Sequence, residues 1–232
     1  MGSIAANLQA VIGRIGRAAE ASGRAPDEVH LLAVSKTWPA SAVDEAVSAG
    51  QCAFGENYVQ EGIEKVARLR AMGRTGLTWH FIGPLQSNKT RPVAEHFDWV
   101  QSIDRLKIAE RLSNQRPAGL PPLSVCIQVN ISGEVSKSGC SPGEALSLAR
   151  AVAALPNLRM RGLMAIPEPA ISSEQQGRSW SRMKDLFDEL RSEVDGVDTL
   201  SMGMSHDLEA AVAAGATMVR IGTAIFGQRD PI

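Results

Sequence analysis

The sequence predicts an α/β fold, a (β/α)8 TIM barrel preceded by one extra N-terminal helix. Three observations carry that expectation. Short aliphatic runs such as Leu31-Leu32-Ala33-Val34 read as strands buried on both faces, which is the signature of a parallel sheet. Eight such runs can be counted, each followed by a helix or helical turn. Finally, no long linker, short-period repeat or low-complexity tract divides the 232 residues, so residues 1–232 form one domain.

The elements follow in order. Ile4, Leu8, Val11, Ile12 and Ile15 recur at helical spacing, which makes 4–22 the extra helix, with Gly23 as its stop. Residues 29–35 are the first strand and 39–49 a helix closed by Gly50. A short strand at 52–55 leads into a helix over 57–72. The third strand, 77–82, ends in a Gly83-Pro84 turn, and a helix over 88–96 precedes the strand at 99–102. Asp104 is read as the cap of the next helix, which runs to about 114. After the Pro-rich loop 116–122 comes a strand at 123–131 and a Gly- and Ser-rich loop at 132–141. Pro142 starts a helix to 155. Strand 158–166, loop 167–173, a long amphipathic helix over 174–193, strand 199–202, helix 207–214 and strand 218–221 complete the series.

Bulk composition narrows the function classes. The formal charge is −1, from 24 basic and 25 acidic residues, so no basic surplus points to nucleic acid or an anionic membrane. Aromatics make up 4% and include one Tyr, which disfavours a base-stacking platform. No apolar stretch approaches the roughly 20 residues of a membrane span, and Asn7, Gln9 and Arg14 interrupt the N-terminus as a leader. A soluble, cytoplasmic protein is expected. Cys52, Cys126 and Cys140 are widely spaced, without a CxxC pair, and read as reduced thiols acting as small buried hydrophobes.

In a barrel the strand ends are where chemistry sits. Here they carry Lys36, Asn57, His80, Gln101, Asn130, Met164, Ser201 and Arg220, the last followed by Gly222-Thr223. Lys36 is a candidate amine nucleophile, provided burial or a cation lowers a pKa that starts near about 10.4. Arg220, next to the first strand across barrel closure, can supply that cation. Facing a pyridine nitrogen, a guanidinium donates and does not readily release a proton. The ring would then be a poor electron sink. Gly222-Thr223, beside Ser201-Met202-Gly203 at the end of the preceding strand, forms two adjacent donor-rich loops where barrels commonly hold a phosphate. An amine near the first strand and a phosphate cradle near the last call for an aldehyde that carries a phosphate. Pyridoxal 5′-phosphate fits that description. His80 reads as a hydrogen-bonded rim histidine and His206 as a helix cap. Neither has metal-ligand spacing, so no metal is expected. Lys137 reads as a solvated lysine, with capture of phosphate or free aldehyde as its second reading.

Six segments together resemble the pyridoxal phosphate homeostasis proteins, the single-domain relatives of the N-terminal barrel of alanine racemase. They are Leu32-Ala33-Val34-Ser35-Lys36-Thr37, Phe54-Gly55-Glu56-Asn57-Tyr58-Val59-Gln60-Glu61, Trp79-His80-Phe81-Ile82-Gly83-Pro84-Leu85-Gln86-Ser87-Asn88-Lys89, Gly162-Leu163-Met164-Ala165-Ile166, Ser201-Met202-Gly203-Met204-Ser205 and Val219-Arg220-Ile221-Gly222-Thr223-Ala224-Ile225-Phe226-Gly227. They occur in family order and span almost the whole chain. The resemblance implies a fold-type III barrel with pyridoxal 5′-phosphate held as a Schiff base on Lys36. It also implies Arg220 at the pyridine nitrogen, Ser201, Gly222 and Thr223 around the phosphate, and Asn57 and Met164 along the ring. His80, Met202 and Gly203 complete the expected binding set. The implied role is buffering and delivery of the cofactor, to apo-enzymes that depend on it, by a monomer that turns over no substrate. One departure is His206, where the family carries an acidic residue before Asp207.

Two catalytic readings compete. Two-base racemisation needs a second acid/base on the opposite ring face, which racemases take from an added C-terminal domain. The chain ends ten residues after Gly222, and its one tyrosine, Tyr58, falls early on a helix. A Schiff-base lyase acting on a sugar phosphate fits the phosphate turn, but no acid/base pair accompanies Lys36 for C–C cleavage.

Overall fold

Eight parallel strands close on themselves in sequence order. They are β1 (His30–Val34), β2 (Ala53–Glu56), β3 (Thr78–Phe81), β4 (Trp99–Ile103), β5 (Leu123–Gln128), β6 (Leu158–Met164), β7 (Thr199–Ser201) and β8 (Met218–Ile221). The computed structural model describes residues 2–133, 138–166 and 173–228. Lys137 lies outside the described residues. Closure joins β8 to β1, with Leu32 opposite Arg220. The Arg220 strand therefore neighbours the Lys36 strand, as the count of eight requires.

The helices between strands are α2 (Ala40–Ser48), α3 (Val59–Ala71), α4 (Thr90–His96), α5 (Leu106–Gln115), α6 (Pro142–Ala153), α7 (Ser173–Glu193) and α8 (Leu208–Ala213). A last turn, α9 (Thr223–Phe226), follows β8, and α1 (Ile4–Ala21) precedes the barrel and packs against α8 and α9. Ser3 caps α1 by accepting the Ala6 N–H. Leu8, Val11, Ile15, Ala18 and Ala19 are buried on its inner stripe, whereas Ile12 is 45% exposed. No helix among the described residues is long and apolar enough to cross a membrane.

Nearly all the apolar core lies in one cluster between the barrel wall and the helices. A second, small cluster of Leu32, Val34, Ile82 and Met218 stands apart from it. All six residues of β5 are buried, as a strand covered on both faces must be. Gly162, at φ 152, sits beside a register shift between β5 and β6, and a Cβ there would collide with the Thr199 carbonyl.

Two local expectations are corrected. Asp104 does not cap α5. Arg105 holds the N-cap position in extended backbone with no side-chain cap bond, and the Asp104 carboxylate instead accepts from the Arg105 guanidinium. Cys52 is exposed, unlike Cys126 and Cys140. Burial pushes both of the latter thiols up to about 12, which keeps them protonated and inert.

Candidate functional site

The C-terminal ends of the strands enclose a cavity of about 280 Å³, near the lower end of small-ligand sites at roughly 300 Å³. Its wall is assembled from four strand ends. Val34 and Lys36 come from β1 and the residues after it. Asn57 follows β2, Ile82 follows β3, and Arg220, Gly222 and Thr223 come from β8 and its turn. Ile166 and the segment Met204–His206, just past β6 and β7, close the remaining side. Of the ten residues expected at the site, Lys36, Asn57, Arg220, Gly222 and Thr223 meet here.

Arg220 is 3% exposed. One guanidinium nitrogen donates to the Ser201 carbonyl at 2.7 Å and to its hydroxyl at 2.8 Å; the other donates to the Ala165 carbonyl at 2.7 Å. Among the described residues no carboxylate lies within ion-pair distance of it. Burial lowers its pKa to about 10, with Asp207 acting in the opposite sense, so it remains a cation at neutral pH.

Behind Arg220 runs a chain of hydrogen bonds through the barrel interior. The Ser201 hydroxyl donates to Gln101 Oε1 at 2.7 Å, and Gln101 Nε2 donates to His80 Nδ1 at 2.9 Å. His80 stacks on Trp99 with ring centroids 4.8 Å apart, and the Arg161 guanidinium lies 4.4 Å over the other part of that stack, on the Trp99 ring. Complete burial, with a smaller contribution from Arg161, drives the His80 pKa down to about 3. It is therefore a neutral imidazole with an unprotonated Nδ1. Ser201 and His80 do not reach the cavity wall; they orient the residue that does. His80 lies instead beneath a groove at the opposite end of the barrel, which Trp99, Arg161 and Thr199 also line, and is itself only 2% exposed.

The other three expected residues also sit behind the wall. Met164 and Met202 are completely buried and line no part of the cavity. Gly203 has φ 94, and a Cβ on it would stand 2.5 Å from that of Ala211. It is glycine because the chain must turn left-handed against α8, and its carbonyl accepts the Arg220 N–H.

What the sequence reading missed is the stretch just beyond Gly203. Ser205 lines the cavity, and its carbonyl accepts from Arg14 on α1 at 3.3 Å. The Met204 N–H donates to Asp207 Oδ1 at 2.6 Å, which folds this loop back over the cavity. The Ser201–Ser205 segment runs past the end of β7, which stops at Ser201, so it is the half-buried Ser205 that reaches the cavity wall. Across the cavity Asn57 lines the wall, and its Oδ1 is buried without a hydrogen-bond partner. Gly83 packs directly on Asn57, whose Cα would be 2.8 Å from a Cβ there.

The lining brings together an amine, a guanidinium, the Asn57 amide, the His206 ring, the hydroxyl-bearing Ser205 and Thr223, and the Thr223 and Ala224 N–H groups, since those of Ile225 and Phe226 donate to the Gly222 carbonyl. None of the lining side chains is a carboxylate. Such a set suits a ligand with a carbonyl carbon for the amine and an anionic group for the N–H and O–H donors.

Comparison with known proteins agrees in kind. Residues 7–230 match the family described as alanine racemase, N-terminal domain. The chain is 61% identical over 230 residues to the pyridoxal phosphate homeostasis protein of Pseudomonas aeruginosa, covering 99% of this chain and 97% of that one. PipY of Synechococcus elongatus, in its structure with pyridoxal phosphate bound, is 37% identical, with a TM-score of 0.78 over 92% of this chain and all of the other. Alanine racemase of Corynebacterium glutamicum shares 17% identity and a TM-score of 0.71 over 98% of this chain and 61% of its own, which is a likeness of fold.

Proposed function

Since the chain belongs to the pyridoxal phosphate homeostasis proteins, a group within the alanine racemase N-terminal-domain family, we propose that it binds pyridoxal 5′-phosphate in the mouth cavity, as a Schiff base on Lys36, and serves to buffer and deliver it. The observation that carries this reading is the meeting of Lys36, Arg220 and the Gly222-Thr223 turn around one cavity. When bound, the cofactor supplies an aldehyde that condenses with an amine and releases water.

Each residue then has a task set by its own chemistry. Lys36 provides the amine. Arg220, held by two carbonyls and a hydroxyl, presents a cation to the ring nitrogen, which it cannot readily protonate. Ser205, Thr223 and the backbone N–H groups of Thr223 and Ala224 receive the phosphate. Asn57, Ile82 and Ile166 flank the ring. Ser201, Gln101 and His80 aim Arg220 and exclude water from beneath it.

The same arrangement supports a carrier role without turnover. An Arg-faced ring withdraws electrons weakly, and the described lining offers no tyrosine as a second base, since Tyr58 is 56% exposed and lies off the cavity. The same reading makes the protein a cytoplasmic monomer that passes the cofactor to apo-enzymes.

The test is the absorbance spectrum of the purified protein with added pyridoxal phosphate, followed by borohydride reduction and peptide mass spectrometry. A visible imine band and a phosphopyridoxyl group on Lys36 are expected. No band, or a group carried only on other lysines, would overturn the assignment.

A further inference from the structure

A charge cluster, buried at Lys65 and Glu56 and partly exposed at Glu61, lies beneath the turn that carries Lys36. Lys65, on α3, is 5% exposed. Its Nζ donates to the Ser35 carbonyl at 2.6 Å, to Glu56 Oε1 at 2.8 Å and to Glu61 Oε1 at 2.6 Å, so all three of its protons are used. Glu56 ends β2 and is completely buried, and the same Oε1 accepts the Ser35 hydroxyl at 2.6 Å. Glu61 Oε1 also accepts the Thr37 backbone N–H at 2.5 Å. Both neighbours of Lys36 are thus tied into one cluster, Ser35 through carbonyl and hydroxyl, Thr37 through its N–H.

The backbone explains why such a tie is needed. The Trp38 N–H closes on the Ser35 carbonyl at 3.1 Å, making 35–38 a tight turn with Lys36 and Thr37 at its centre. Thr37 has φ 67, where a turn of this kind favours glycine and a β-branched residue is strained. Left to itself, threonine would leave that region and swing Lys36 with it. Apolar residues would fill the volume under the turn at least as stably as a buried ion cluster. They would offer the Thr37 N–H no acceptor.

We infer that Glu56, Glu61 and Lys65 are positioning residues for Lys36: by holding Thr37 left-handed and Ser35 fixed, they set the direction in which the Lys36 amine enters the cavity. The inference rests on the reading of Lys36 as the attachment point, and it adds to that reading the device that aims the amine.

The test uses the full chain with Glu61→Ala, Glu61→Gln, Thr37→Gly and the Glu61→Ala/Thr37→Gly double variant. Glu61 is the position to change because Lys65 keeps Glu56 as its partner and the fold is retained. Two quantities are read: amide hydrogen exchange at Thr37 before cofactor is added, and the rate at which the imine band grows on adding pyridoxal phosphate. Glu61→Ala should speed Thr37 exchange and slow loading by about tenfold, equivalent to about 1.4 kcal/mol. Glu61→Gln, which keeps the Oε1 acceptor, should restore both. With Thr37→Gly in place, Glu61→Ala should cost less than about threefold, because glycine occupies positive φ unaided. Loading at the wild-type rate in Glu61→Ala, or an equal loss with and without Thr37→Gly, overturns the inference. If the wild-type chain itself acquires no group on Lys36, the cofactor reading fails separately, and unchanged Thr37 exchange in Glu61→Ala then decides against the tie.

Discussion

Acid should weaken this fold through one residue in particular. His80 is held neutral, with its pKa lowered from 6.5 to about 3, whereas in the unfolded chain it protonates near its ordinary value. Between those two values the unfolded state binds a proton that the folded state refuses, so stability falls as pH drops through that window and is regained as it rises. From pH 7 to pH 5 the His80 contribution amounts to about 2 kcal/mol, at about 1.4 kcal/mol per unit below 6.5. Glu56 opposes it, since burial raises its carboxyl and folded-state protonation then favours the fold in acid. A His80→Phe variant separates the two. It keeps a ring against Trp99, gives up the Gln101 bond, and removes the titration. Urea unfolding of both proteins at pH 7 and pH 5, followed by far-UV circular dichroism, should show the wild type losing about 2 kcal/mol more than the variant over that interval. Equal pH dependence in the two would mean that His80 titrates normally, and that the interior chain behind Arg220 is open to water.

Three further outcomes are expected. Lys36→Ala should abolish the imine band and the reducible group while moving Tm by no more than about 2–4 °C, the shift produced by about 1 kcal/mol in a chain of this size; a large loss of Tm would make Lys36 a structural residue. Gly222→Val should weaken cofactor affinity by about tenfold or more, because a Cβ there already stands 3.1 Å from the Val34 carbonyl and a branched side chain closes the backbone approach; titration of the imine band reads this directly, and unchanged affinity would move the phosphate elsewhere. Gly83→Ala should destabilise by about 1–3 kcal/mol through overpacking and also lower affinity, since the new methyl presses on the backbone of Asn57; urea unfolding and the same titration measure the two effects, and a wild-type affinity in a destabilised protein would remove Asn57 from the site.

The strands were legible because burial on both faces writes continuous aliphatic runs, and all eight fall where those runs lie. The cavity was half legible. Lys36, Asn57, Arg220, Gly222 and Thr223 are polar or glycine residues at strand ends, where polarity against an apolar run stands out. Ser201, His80 and Gln101 stand out in the same way, but their polarity serves one another inside the barrel. A sequence does not show whether a polar side chain near a strand end points up to the mouth or into the interior. Ser205 was passed over because it lies four residues beyond a three-residue strand, and only the fold-back of the loop onto Asp207 brings it to the wall. The tie beneath Lys36 was hidden for another reason. Glu61 and Lys65 read as an ordinary i,i+4 pair on a helix surface, and nothing local says that Lys65 is buried under a turn.

The surroundings of Arg220 set a limit on how this barrel could be redesigned. Its guanidinium ends on two main-chain carbonyls, those of Ser201 and Ala165, and no side-chain substitution can turn a carbonyl into a donor. An aspartate or glutamate at 220 would place its charge against those oxygens. An acidic residue at 220 therefore calls for a new path of β6 and β7 as well as a new side chain, and in single-residue libraries at 220 the aspartate and glutamate variants should be the ones that fail to fold.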